Sequence, residues 1–430
     1  MTDLAAEAPA PPITTRHVAA AVVGNWLEFY DFTVYAYFAV QIGAVFFPKS
    51  FTHSDFGSLM ATLITYGVGF IFRPVGAVVI GRFADRAGRK PAMLLSFTLM
   101  GVALVGLVLV PSYAKIGVAA PILVVLLRLI QGFALGGEVG PTTAFLVEAA
   151  PARQRGLYGA WQSASQSLSS VSGGIIGVVL AAVLSPAQLG DIGWRIAFLI
   201  GALVLPFGLV IRRSLPETMH MAEAQSAVHP SGARFLSHWR IIVLGIGLIA
   251  GGTISTYVFV FMTTYAQHTL HMGVQISFWV TVVTGAAGFT ASLLGGWLSD
   301  RFGRKPLLIW PRLAFLLATL PVFWLVTHHR DGVTLLTSLG CLNILANLSG
   351  VPALVAVTES LRKEVRSMGV ATIYAISVAI FGGTTQFVVL WLDEVTGNPL
   401  AIAWYLMAAT VIALIASIAM VESAPVAKRS

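Results

Sequence analysis

From residue 18 to residue 421 the chain repeats one pattern: an apolar run of some twenty residues, a short polar turn, then another run. A bilayer core about 30 Å thick needs about 20 apolar residues per helix. The pattern predicts helical spans near 18–45, 57–80, 92–111, 120–143, 157–184 and 194–211. A second set follows near 239–266, 275–298, 307–327, 333–356, 367–390 and 399–421. The only long polar insert, RRSLPETMHMAEAQSAVHPSGARFLSH (212–238), divides them six and six. The expected architecture is all-α membrane: an N-terminal tail (1–17), a six-helix bundle (18–211), a central loop (212–238), a second six-helix bundle (239–421) and a C-terminal tail (422–430).

Composition and charge sharpen this reading. Of 430 residues, 57% are hydrophobic and 10% charged, with a mean hydropathy of +0.84, where a soluble chain carries roughly 25% charged residues. The net charge of +8 does not form a nucleic-acid surface. Its Lys and Arg cluster in alternate turns: Arg82, Arg86, Arg89 and Lys90; Arg153 and Arg155; Arg212 and Arg213; Arg301, Arg304 and Lys305; Arg362, Lys363 and Arg366. That alternation is the positive-inside pattern and places both termini in the cytoplasm. The N-terminus lacks the marks of a secretory signal. The single Cys341 allows no internal disulfide and no metal cluster.

Polar residues inside the spans carry the candidate chemistry, because a charge at membrane depth faces a cavity or a partner. In GNWLEFYDF (24–32) and just beyond, Asn25, Glu28, Asp31 and Tyr35 recur at three and four residues and share one helix face. A carboxyl group on such a seam can bind and release a proton, so Glu28 and Asp31, with Glu138, are the candidate proton-coupling residues. The bland alternative is a permanently ionised structural pair. Arg73 stands 12 residues before Asp85, roughly 18 Å along a helix, and Arg128 follows the start of the fourth span by about eight residues, about 12 Å from the opposite face. Arg keeps its charge and needs an anion there, either a helix carboxylate such as Glu138 or Asp31, or a substrate. Arg128, Gln131 and Glu138 fall on one face of RLIQGFALGGEVGP, whose glycines permit close packing. The fifth-span WQSASQSLSS supplies Gln162, Ser165, Gln166 and Ser169 as a binding wall, or small residues for helix packing. Asn343, Asn347 and Tyr374 are uncharged candidates in the second half, along with Tyr257, Ser377 and Gln386. The second half is expected to hold no charge at mid-membrane. The pairs His268/His271 and His328/His329 fall at helix ends and are given no role. No span offers a nucleophile–base or metal constellation, so an enzyme is not expected.

The halves also repeat. GRFADRAGRKP (81–91) returns as GGWLSDRFGRKP (295–306), setting Asp85 against Asp300 and Arg89 against Arg304; Glu148 and Arg155 match Glu359 and Arg366. These motifs, with RRSLPET before the central loop, resemble the major facilitator superfamily over almost the whole chain. The resemblance implies alternating access, with those eight residues locking one state of the cycle. GNWLEFYDF, FRPVGA, RLIQGFALGGE and YAISVAIFGG (374–383) resemble its metabolite:proton symporters. WQSASQ and the Asn of G-N-x-L-E are similar to the citrate/tricarballylate branch, although Phe29-Tyr30 stands where that branch tends to carry a Gln beside an aromatic. The resemblance therefore implies proton-driven uptake of a tricarboxylate by a multi-pass protein of a bacterial-type inner membrane, working as a monomer without cofactor. Dicarboxylate, shikimate or betaine symport is the nearest alternative. A proton-driven drug exporter is a more distant one, since two mid-membrane Arg suit an anion better than a lipophilic cation.

Overall fold

The computed structural model describes residues 15–87, 89–136, 146, 150–151, 153–213, 239–361 and 363–423. Its main elements are α1 (Thr15–Tyr37), α2 (Ala39–Phe46), α3 (Asp55–Ile71), α4 (Arg73–Ala87), α5 (Arg89–Leu109), α6 (Ala119–Leu135), α7 (Arg155–Val183) and α8 (Trp194–Arg213). In the second half come α9 (Trp239–His268), α10 (Val274–Phe302), α11 (Arg304–His329), α12 (Gly332–Ser360), α13 (Lys363–Ser377), α14 (Gly383–Thr396) and α15 (Ala401–Ala419). Eight stretches of described helix are long and apolar enough to cross a bilayer. The bent pair α1–α2, the shorter apolar helices within α5 and α6, and α8 complete twelve spans. A 29-residue helix such as α7 is about 44 Å long at 1.5 Å per residue, so its ends stand clear of the hydrocarbon.

Local signals set the helix ends. Ser54 accepts a hydrogen bond from the Gly57 amide (2.9 Å) and starts α3; Asp331 accepts from Thr334 N (2.9 Å) and starts α12. Gly303, at φ 98°, makes the corner between α10 and α11, a conformation that disfavours any Cβ. Two spans are not the straight rods that hydropathy predicts. The first breaks at Phe38, where Val22–Tyr37 and Ala39–Phe46 meet at 67°. The eleventh contains a π turn at Val378–Gly382, a feature that recurs at functional positions in helices.

Large apolar side chains, among them Leu109, Val183, Leu317 and Ile415, point outward, as a lipid-facing rim requires. Between the halves, α7 lies along α10. A Cβ on Gly156 would come 2.5 Å from the carbonyl oxygen of Gly296. On the other side of the molecule α3 crosses α14, where a Cβ on Gly67 would come 2.2 Å from the Gly383 carbonyl. Any larger residue at either crossing would force the halves apart.

The α10–α11 turn, the start of α7 and the end of α12 lie at one end of the bundle, called here the basic face; the opposite end is the far face. On the far face the halves meet through Gln41, whose amide donates to Gln267 (3.1 Å), and through the rings of Phe38 and Phe278, 4.8 Å apart.

Candidate functional site

All four seam residues of α1 turn inward: Asn25, Glu28, Asp31 and Tyr35 are buried. Asn25 is taken up by α7. Its amide donates to Ser165 Oγ (2.7 Å) and to the Gln162 carbonyl (3.2 Å), and Gln162 Nε2 donates back to Asn25 Oδ1 (2.9 Å). The α1–α7 contact is thus a polar clasp, and Asn25 and Ser165 lie within it.

Asp31 meets the fourth span. Arg128, fully buried, donates from Nη1 to Gln131 Oε1 (2.6 Å). Gln131 Nε2 donates in turn to Asp31 Oδ2 (3.0 Å). An amide therefore stands between the guanidinium and the carboxylate and bonds to both. Asp31 Oδ1, Arg128 Nε and Arg128 Nη2 are buried without a hydrogen-bond partner, so this relay leaves capacity unused at both ends. Sequence reasoning placed Gln131 only on the face of Arg128. The i, i+3 spacing of the two was the available signal for a direct bond.

What holds the two guanidiniums was not read from the sequence at all. Arg128 lies 4.4 Å from the centre of the Phe32 ring and 4.3 Å from that of Tyr35. Arg73 lies 4.5 Å from Phe32 and 4.1 Å from Phe70. Phe32 serves both cations, with Tyr66 edge-on to it at 5.8 Å. Such cation–π contacts contribute about 2 kcal/mol when desolvated. Close backbone contact lets these helices bring the rings in: a Cβ on Gly132 would fall 1.7 Å from the Gly69 carbonyl. Spacing gives a hint, since Phe32 and Tyr35 are i, i+3 and Tyr66 and Phe70 are i, i+4.

Between the halves lies a cavity of about 160 Å³. Gln162, Gln166, Asn343, Asn347 and Tyr374 line it, with Phe29, Phe32, Tyr66 and Tyr257 as an aromatic wall. Asn343 donates to the Thr284 carbonyl (2.6 Å) and Asn347 to Asn343 Oδ1 (3.0 Å), so the second-half amides form a joined polar floor. Gln162 Oε1 has no partner. Ser169 donates to the carbonyl of Gln166 (2.6 Å) on its own helix and lies off the cavity. Arg73, Arg128 and Asp31 are also outside the lining; the lining residue Phe32 lies against both guanidiniums and Tyr66 against that of Arg128. Glu28 is likewise buried and outside the lining. Glu138 lies outside the described residues.

At the basic face the second-half motif is fully drawn. Arg304 bridges Asp300 (2.7 Å) and Glu359 (3.2 Å). Asp300 reaches across to the other half and accepts from the Gly156 and Leu157 amides (2.8 Å each) at the start of α7. A carboxylate on a helix N-terminus is favourable by charge as well as by hydrogen bond. Arg155 begins the same helix. The side chains of Asp85, Arg89 and Arg366, and residue Glu148, lie outside the described set.

The second half, expected to hold no charge at mid-membrane, does bury a cation within a span. Arg312 in α11 is buried and donates to the Ala413 carbonyl (3.3 Å) and to Ser417 Oγ of α15. Its span begins eight residues earlier, at Arg304, so hydropathy alone put this residue nearer the membrane edge.

Two six-helix halves closing on a central cavity, joined at one end by charged contacts, define a membrane transporter. The chain belongs to the Major Facilitator Superfamily, whose family model matches residues 31–384. It is 34% identical over 397 residues to the citrate-proton symporter of Klebsiella pneumoniae, covering 92% of this chain and 89% of that one. It is 30% identical over 423 residues to the proline/betaine transporter of Salmonella typhimurium, covering 95% and 84%. Its fold is similar to a crystal structure of a D-xylose-proton symporter, with TM-score 0.77, 19% identity, and coverage of 95% and 98%.

Proposed function

We propose that the protein is a proton-coupled importer of a small carboxylate, with citrate or a related tricarboxylate as the substrate. It sits in a bacterial inner membrane with its basic face in the cytoplasm. The observation that carries this reading is the enclosed relay Arg128–Gln131–Asp31. A proton on Asp31 cancels the charge that holds the Gln131 amide, and that frees Arg128 from its internal partner. Movement of Phe32 and Tyr66 then opens the guanidiniums of Arg128 and Arg73 to the cavity. There a substrate carboxylate takes the place of Asp31, with Gln162, Gln166 and the Asn343–Asn347 floor completing its hydrogen bonds. Rocking of the halves breaks the Asp300 lock in one direction and restores it in the other. A ligand shifts such an equilibrium only through contacts that differ between the two states, and the exchange of Asp31 for cargo supplies that difference. The likeness to a citrate-proton symporter supports this choice of cargo and driving ion.

A second reading has its own support. The cavity wall is aromatic and carries no charged side chain among the described residues. Such a wall suits a quaternary ammonium through cation–π contact, and a proline/betaine transporter is among the relatives. Purified protein in vesicles decides between them. Labelled citrate is expected to accumulate only when an inward pH gradient is imposed, and tricarballylate, not glycine betaine, is expected to compete. Competition by betaine alone would select the second reading.

A further inference from the structure

We infer that Gln386 contacts the cargo in transit, as an amide subsite on the far-face side of the aromatic wall that closes the cavity. The inference rests on the transport reading above and adds a second-half residue to the path.

Tyr374, Val378, Gly382 and Gln386 follow one another at four-residue steps along α13, the π turn and α14. The first two line the cavity. At the third step the aromatic wall closes over the helix: a Cβ on Gly382 would lie 2.9 Å from the Tyr257 ring and 3.0 Å from the Phe70 ring. Gln386 comes next, one turn beyond the wall. It is 1% exposed, and neither its oxygen nor its nitrogen has a hydrogen-bond partner. One turn further out, Val389 and Leu390 belong to the same apolar cluster as Leu59 and Leu63 of α3. Leu59 in turn borders a far-face vestibule of about 840 Å³ together with Gln267 and Asp393.

Gln386 thus stands between the outer vestibule and the central cavity, in the seam where α3 and α14 touch at Gly67 and Gly383. An amide buried with nothing to bond destabilises the closed seam. A Leu of similar size would remove that cost if packing were the position's only task. When the seam parts, the amide gains partners, and its N–H groups face whatever passes. Its two donors suit a carboxylate oxygen, the group that the guanidiniums receive on the inner side of the wall.

The test uses the full-length protein in vesicles, in a Cys341→Ser background. Gln386→Cys is exposed from the far face to a membrane-impermeant methanethiosulfonate bearing a quaternary ammonium. Labelling about tenfold above the cysteine-free background, slowed by citrate, is expected of a position on an aqueous path. Labelling at background would overturn the proposal. Independently, Gln386→Leu is expected to raise the half-saturating citrate concentration for uptake about tenfold while its thermal midpoint equals or exceeds that of the unsubstituted protein. An unchanged half-saturation with raised stability would mean a purely structural glutamine and would also overturn it. If the unsubstituted protein takes up no citrate, the cargo assignment fails, and labelling by itself then decides for or against the path.

Discussion

The two halves repeat each other's motifs, yet among the described residues they hold charge in different ways. In the first half Arg73, Arg128 and Asp31 are buried deep in the bundle and held by rings and one amide. In the second half the fully drawn charges, Asp300, Arg304 and Glu359, pair directly with one another at the basic face. There Arg312 is satisfied by neutral oxygens alone. Direct ion pairs at a helix end are local and strong, which suits a latch. A guanidinium that meets its carboxylate only through an amide, with two nitrogens unpartnered, is poised to exchange partners. Among the described residues the two arrangements differ in kind: direct ion pairs at the basic face, and an amide-bridged pair at depth.

The contrast is broken most severely at Arg128. Arg128→Lys keeps the charge but loses the planar face set between Phe32 and Tyr35 and the fork that reaches Gln131. Initial uptake is expected to fall about 100-fold, equivalent to about 2.8 kcal/mol; initial rates in vesicles check this, and rates near those of the unsubstituted protein would remove the planar group from the mechanism. A smaller loss is expected at the latch. Asp300→Asn keeps the size but weakens the cap on α7 and the pair to Arg304, costing about 1 kcal/mol, or roughly a fivefold change in the balance between states. Cysteine accessibility at the basic face should increase accordingly. Ser169→Ala should do least. Its hydroxyl serves its own helix, so uptake is expected to stay within about 1.5-fold, and a tenfold fall would put Ser169 on the substrate.

Much of this arrangement could be read before any coordinates. Periodicity located the spans and the inward seam of α1, and distance along the helix put Arg73 and Arg128 at depth. The readings that failed or were missing depend on contacts between helices. Phe32, which covers two guanidiniums, carries only the faint local signal of its i, i+3 spacing to Tyr35. The break at Phe38 and the π turn at Val378–Gly382 leave hydropathy unchanged, because neither alters side-chain polarity. Ser165, Ser169 and Ser172 of α7 sit on the predicted face, yet bond to their own backbone or accept from Asn25 and Trp26 of α1, as small residues in a packed crossing do. The partners that bury Arg312 are a carbonyl and a hydroxyl from α15, more than a hundred residues away in sequence.

The relay is tested most directly by Asp31→Asn in vesicles, with citrate accumulation followed against its own gradient under an imposed pH difference. The amide keeps a polar group opposite Gln131 but cannot cycle a proton. Uphill accumulation should disappear while exchange of internal for external citrate continues. Undiminished uphill accumulation in Asp31→Asn would contradict the claim that this carboxylate couples the proton to the cargo.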